Sequence, residues 1–88
     1  MPDRKFLEKV RFNAYRRLAS RIIAIAVEDW KDSVQVLREH PKDQKSLDMV
    51  SECERFFASS WYQDLRELSW DDFPYDMKSK LEEMVYGH

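Results

Sequence analysis

Few side chains in this chain of 88 residues could take part in catalysis. The single cysteine, Cys53, falls at helical spacing beside Phe56 and Phe57. A thiol on such an apolar face is expected to be a small core residue with a raised pKa, because a reactive cysteine needs nearby positive charge. The chain has one glycine, so it offers no glycine-rich phosphate loop and no glycine-flanked serine nucleophile. We therefore predict that the protein is not an enzyme.

The residues that could bind a metal are mainly carboxylates. Asp71, Asp72 and Asp76 lie close together in the sequence, while His40 and His88 are the two histidines. The spacing does not match the twelve-residue calcium loop. Acidic residues at the start of a helix are favoured by its positive dipole end, and we interpret the cluster in this way. The sequence therefore predicts no metal, no other cofactor and no small-molecule substrate.

The composition is typical of a helical protein. Apolar residues make up 43% and aromatic residues 14%, with one glycine and three prolines to make turns. No segment alternates polar and apolar residues as a half-buried strand does. We predict an all-α fold, a small bundle of three to four helices in a single domain spanning residues 1–88.

The sequence also bears on location. The longest apolar run, residues 22–27, is far shorter than the roughly 20 residues of a membrane span. The first residues lack the apolar core of a signal peptide, and one cysteine is typical of a reducing compartment. We therefore expect a cytoplasmic protein that does not enter a membrane.

The first helix is predicted to be unusually long. No glycine or proline occurs between Asp3 and His40, and Pro41 should end the helix near Glu39. A continuous helix of this length would measure roughly 54 Å, whereas a compact chain of this size is about 30 Å across. Either the helix breaks near Arg11–Asn13, or it extends past the bundle and meets a partner.

Three shorter helices should follow, because each has a residue suited to cap its first turn. Asp43, Ser60 and Asp72 are the predicted N-caps. The expected helices cover about 44–58, about 61–68, and Asp72 to about Tyr86 with Pro74 in the first turn.

The long helix carries two apolar stripes, rotated by about 140° on a helical wheel. One stripe contains Ala19, Ile23, Trp30 and Val34, with Phe12 at its start. One face can pack on the bundle and the other on a partner, either another copy or another protein. The predicted partner interface is Leu7, Val10, Leu18 and Ile25 on the other stripe, together with Trp70.

Charge is divided unevenly along the chain. Residues 1–21 carry seven basic and two acidic residues, and the remainder carries eight basic and fifteen acidic residues. A basic helix suits a phosphate backbone, so a nucleic-acid contact is one interpretation. The candidate residues are Lys5, Lys9, Arg16 and Arg17. The other interpretation is pairing with the acid-rich later helices, within one chain or between copies.

Three segments carry a resemblance to a known group. They are residues 24–30, 37–41 and 54–62, and the most specific part is RFFASSWY at 55–62. Over residues 20–86 the chain resembles short uncharacterised proteins encoded in prophages and conjugative elements of Gram-positive bacteria. The resemblance implies a bacterial cytoplasm and a mobile element. It implies no site residue, since the group has no assigned activity.

These observations do not point to a specific biochemical activity. The function they favour is a non-catalytic, self-associating protein-interaction module, accessory to a phage or mobile element. The alternative is a nucleic-acid-binding protein that uses the basic N-terminal helix.

Overall fold

The computed structural model describes residues 4–86, with side chains from residue 12 onward. This part of the chain consists of four helices joined by short connections, and it contains no strand, so the all-α prediction is confirmed. The helices are α1 (Arg4–Glu39), α2 (Gln44–Phe57), α3 (Ser60–Leu68) and α4 (Met77–Tyr86). No helix in this described part combines the length and the apolar character needed to cross a bilayer.

The first helix is continuous. It has 36 residues without a break near Arg11–Asn13, which corresponds to about 54 Å of helix. The molecule measures 58 × 25 × 20 Å, with a radius of gyration of 16.3 Å, against about 12 Å for a compact chain of this length. The molecule is elongated because α1 is longer than the bundle that packs on it.

The core lies along one side of α1, where α2, α3 and α4 pack. Trp30, Tyr62, Ile23 and Leu81 are its largest fully buried side chains. Phe12, at the start of the same predicted stripe, is instead 52% exposed. The contacts of Trp70, in the α3–α4 connection, with α1 lie at Arg16 and Ser20, beyond Phe12 in the chain. The other buried core residues are Ala19, Val34, Cys53, Phe57, Leu65 and Met77.

Two of the three predicted N-caps differ from the prediction. Asp43 caps α2 as expected, and its carboxylate accepts the Ser46 N–H at 3.0 Å. The cap of α3 is Ser59 rather than Ser60. Ser59 has extended backbone angles and its hydroxyl oxygen accepts the Tyr62 N–H at 3.1 Å. Ser60 is therefore already helical, and α3 begins one residue earlier than predicted.

The last helix begins later than predicted, at Met77 instead of Asp72. Its first turn is held by Asp76, whose carboxylate accepts the Ser79 N–H at 3.1 Å. Residues 69–76 form an irregular connection, with bends at 69–71 and 75, instead of a helical turn. The Tyr62 hydroxyl donates to the Pro74 carbonyl oxygen at 2.6 Å. This hydrogen bond attaches the connection to α3 at a residue that was predicted to lie in the first turn of α4.

The connection is also attached to α1. The Ser20 hydroxyl oxygen accepts the Trp70 N–H at 2.7 Å and the Asp71 N–H at 3.4 Å. The Arg16 guanidinium lies over the Trp70 ring, 4.4 Å from its centroid. Together these contacts place the end of α3 beside the middle of α1, on the core side of that helix.

Candidate interaction surface

The side of α1 that faces away from the bundle carries a row of exposed apolar side chains. Leu18 is 54% exposed, Ile25 is 48% exposed and Val36 is 38% exposed, and Ala14 is exposed in the same row. These four residues fall within about 40° on the helix and span roughly 33 Å of its length. Single exposed apolar residues are ordinary, whereas a contiguous apolar surface is typical of an interaction site. Asp32 lies in the same sector of the helix, between Ile25 and Val36. We name Ala14, Leu18, Ile25 and Val36 the outer row.

Four charged side chains adjoin the outer row on one side. They are Arg17, Arg21, Glu28 and Asp32, all exposed, and they fall within about 60° of one another on the helix. The two basic residues precede Ile25 and the two acidic residues follow it. We name these four residues the charged flank.

Within the charged flank, neighbouring residues carry like charges, although Lys31 lies three residues after Glu28. Arg17 and Arg21 are four residues apart, as are Glu28 and Asp32, so each helical neighbour pair carries like charges. None of the four forms an ion pair in the described part of the chain, where the ion pair is Lys78 to Glu54 at 3.8 Å. Pairing of these arginines with acidic residues of the later helices is therefore not observed within one copy.

The candidate nucleic-acid residues do not form one surface where they are described. Arg16 is half-buried, and its guanidinium lies over Trp70 and also 5.7 Å from the centroid of the Phe12 ring. Arg17 is exposed on the charged flank, about a quarter of a turn away. The side chains of Lys5 and Lys9 lie outside the described residues.

The residues of the predicted partner interface that the structure describes lie on two different sides of α1. Leu18 and Ile25 lie together in the outer row, whereas Trp70 is exposed on the opposite side of α1, where Arg16 and Ser20 hold it. The side chains of Leu7 and Val10 lie outside the described residues. The prediction missed Val36 and the charged flank. Plotting the charges on the same helical wheel as the apolar residues would have found that flank.

A second apolar surface lies at the α2–α3 corner. Phe57 and Tyr62 are buried there with ring centroids 5.7 Å apart in an edge-to-face arrangement. Trp61 is exposed and packs edge-on against Phe56 at 5.6 Å. Beside them is an open, shallow pocket of about 310 Å³. Most of this aromatic cluster therefore serves the core, since aromatic pairs in such geometry stabilise a helix corner.

The side chains considered for catalysis and metal binding have the surroundings of structural residues. Cys53 is buried in the core, and burial raises the pKa of its thiol, with Asp29 and two glutamates adding to the effect. A raised pKa keeps the thiol protonated and unreactive. In the described part of the chain no group of three or more His, Cys, Asp or Glu side chains could hold a metal ion.

Comparison with known proteins returned no relative. No protein-family model matches the chain, and neither the curated proteins nor the solved structures include a significant match. The fold and its surface therefore define the class as a small all-helical protein whose first helix is longer than the bundle it supports.

Proposed function

We propose that this protein is a non-catalytic interaction module that associates with another copy of itself through the exposed side of α1. The observation that carries the proposal is the outer row, which leaves Leu18 and Ile25 about half exposed on a helix whose other side forms the core. Covering these side chains would remove apolar surface from water, which is the main favourable term in protein association.

The total surface supports association. The accessible surface is 7026 Å², against roughly 5,500 Å² for a compact monomer of 10.7 kDa by the usual scaling with mass. The excess, roughly 1,500 Å² for one chain, is about twice the roughly 800 Å² that each partner buries in a standard interface. A second copy packed along α1 with an interface of that size would remove about half of the excess.

The interaction is expected to be separable from folding. The outer row lies on the side of α1 opposite Trp30 and Ile23, and neither Leu18 nor Ile25 belongs to the core. Substituting a polar residue at Ile25 should therefore change association while the bundle stays folded.

The proposal is tested by light scattering on Ile25→Asp and on Met84→Asp, a control at a similarly exposed residue of α4. We expect the wild type and Met84→Asp to give more than the chain mass, and Ile25→Asp to give the chain mass. Circular dichroism should show equal helix content in all three. If Ile25→Asp associates like the wild type, the outer row is not the interface.

The alternative function, nucleic-acid binding, is tested with a further variant. Retardation of a DNA or RNA duplex by the wild type at low salt, lost when Arg17 is replaced by Glu, would favour nucleic-acid binding.

We propose a role in a phage or mobile element of the bacterial cytoplasm from the resemblance carried by residues 24–30, 37–41 and 54–62, of which 55–62 is the most specific part. Neighbouring genes for phage or conjugation proteins would support that setting.

A further inference from the structure

We infer that the second copy lies antiparallel along α1, related by a two-fold axis beside Ile25, so that the charged flank of each copy pairs with that of the other. This inference rests on the proposed self-association and specifies its geometry. It would place Arg21 beside Glu28 of the second copy, and Arg17 beside Asp32 of the second copy.

The outer row is centred on Ile25. Ala14 lies eleven residues before Ile25 and Val36 lies eleven residues after it, so reversing the helix about Ile25 superposes the two ends of the row. Leu18, seven residues before Ile25, would lie level with Asp32 of the second copy. A two-fold interface uses the same patch on both copies. In this arrangement Ile25 of one copy faces Ile25 of the other.

The charged flank is self-complementary about the same point. Arg21 lies four residues before Ile25 and Glu28 three residues after it, so in a reversed copy they reach heights about 1.5 Å apart. Arg17 and Asp32 lie eight and seven residues away, with the same small offset. An antiparallel two-fold pair also keeps this flank of one helix against the same flank of the other. Opposite charges therefore meet at both positions in both halves of the interface.

A parallel pair would not give this match. A two-fold axis along the helices would set the charged flank against the other side of the outer row. That side carries Tyr15 and Ile22 at the level of the two arginines. Each like-charged pair, Arg17 with Arg21 and Glu28 with Asp32, would keep its internal repulsion. The antiparallel arrangement relieves both repulsions, and this difference selects it.

The bundle leaves room for this arrangement. The core residue Trp30 lies about 140° around the helix from Ile25. Because α2, α3 and α4 pack on that buried side, the two bundles would lie on the outside of an α1 pair. The α1 core residues from Ala19 to Val34 are centred close to Ile25, so the two bundles would lie at nearly the same level on opposite sides of the pair.

Two charge-reversed variants test the inference. R17E/R21E makes the charged flank entirely acidic, and E28K/D32K makes it entirely basic. Each variant alone should associate at least about tenfold more weakly than the wild type, because its pairs become repulsive. An equimolar mixture should recover a dimer that contains one of each, with an affinity that falls as salt rises.

K42E/K45E is the matched control, because it makes the same charge change at two exposed lysines of the α1–α2 connection and α2. It should associate like the wild type. The single reversals R21E and E28K repeat the test with a smaller change, in case the double variants lose helix content by circular dichroism.

The outcomes separate the inference from the proposed function. If each reversed variant associates as strongly as the wild type and mixing gives no preference, the antiparallel inference is wrong while self-association stands. If the wild type itself is a monomer, both fail.

Discussion

Arg21 and Glu28 lie on the same side of α1, two helical turns apart, with Ile25 between them. Both side chains are exposed, and their positions are about 10.5 Å apart along the helix axis. That separation is too long for an ion pair within one copy. The two residues therefore place opposite charges on either side of Ile25 near the centre of the outer row, a pattern that an antiparallel second copy would neutralise.

The core depends on Trp30, which is fully buried and whose Nε1–H donates to a Glu54 carboxylate oxygen at 3.4 Å. Trp30→Ala should lower the free energy of unfolding by about 3–5 kcal/mol, since it removes a large buried ring and leaves a cavity. Urea unfolding followed by circular dichroism measures the change. Trp61→Ala is the control, because Trp61 is exposed and its loss should cost about 1 kcal/mol or less. Equal losses would contradict the assigned α1 register.

Ser20 attaches the α3–α4 connection to α1 by accepting the Trp70 N–H. Ser20→Ala should lower the free energy of unfolding by about 1–2 kcal/mol, because a partly buried amide loses its acceptor. It should also change the total tryptophan fluorescence, since the Trp70 ring, one of three tryptophans, would leave its place against Arg16. Ser33→Ala, at another buried serine of α1, is the control and should leave Trp70 unaffected. An unchanged free energy of unfolding in Ser20→Ala would show that this hydrogen bond does not contribute to folding stability.

Tyr62 stabilises the fold through a buried hydroxyl that donates to the Pro74 carbonyl oxygen at 2.6 Å. Tyr62→Phe should lower the free energy of unfolding at neutral pH by about 1–2 kcal/mol. Chemical denaturation of this variant beside Tyr86→Phe checks the result, since Tyr86 is exposed and its change should be neutral.

The raised pKa of Tyr62 also predicts that the free energy of unfolding depends on pH in the alkaline range. Burial raises the pKa of Tyr62, and nearby Arg66 opposes the effect only in part. The unfolded chain releases this proton near pH 10 while the folded chain holds it, so stability present below about pH 10 is lost as pH rises. Tyr62→Phe should make this alkaline decline shallower. A decline as steep as that of the wild type would contradict the assignment.

The helix caps predict a pH dependence on the acid side. Hydrogen bonds from Ser46, side chain and backbone, lower the pKa of Asp43, and those from Ser79 lower the pKa of Asp76. The stability they contribute is present above the unfolded pKa of about 3.9 and is lost as pH falls below it. D43N/D76N keeps acceptors at both caps but removes the titration, so its thermal midpoint should fall less between pH 5 and pH 3. Asp64→Asn, at an exposed residue of α3, should decline like the wild type.

The helix boundaries that the sequence predicted well are those with local signals. Pro41 ends α1 and Asp43 caps α2, because both act through their own backbone neighbourhood. The start of α4 was wrong because Asp72 and Pro74 carry the local signal of a helix start. The Tyr62 hydroxyl, which belongs to α3, donates a hydrogen bond to the Pro74 carbonyl oxygen, and Pro74 lies in the irregular connection before α4. No pattern within residues 69–76 reveals that contact.

The candidate surface was predicted in part. The spacing of Leu18 and Ile25 showed a second apolar stripe, and the structure leaves both exposed. The sequence placed Trp70 in the same interface, but its ring packs on the other side of α1 through Arg16. The meaning of the charged flank depends on which side of α1 the bundle covers. That is a property of the folded chain as a whole, so residue spacing alone did not predict it.

Sedimentation equilibrium of the wild-type protein, across concentrations from micromolar to millimolar, tests the central claim most directly. The account predicts an average mass that rises from the chain mass of 10.7 kDa toward twice that value, and rises less at high salt. A mass that stays at that of one chain at every concentration and salt would contradict it, because the exposed side of α1 would then have no second copy to cover it.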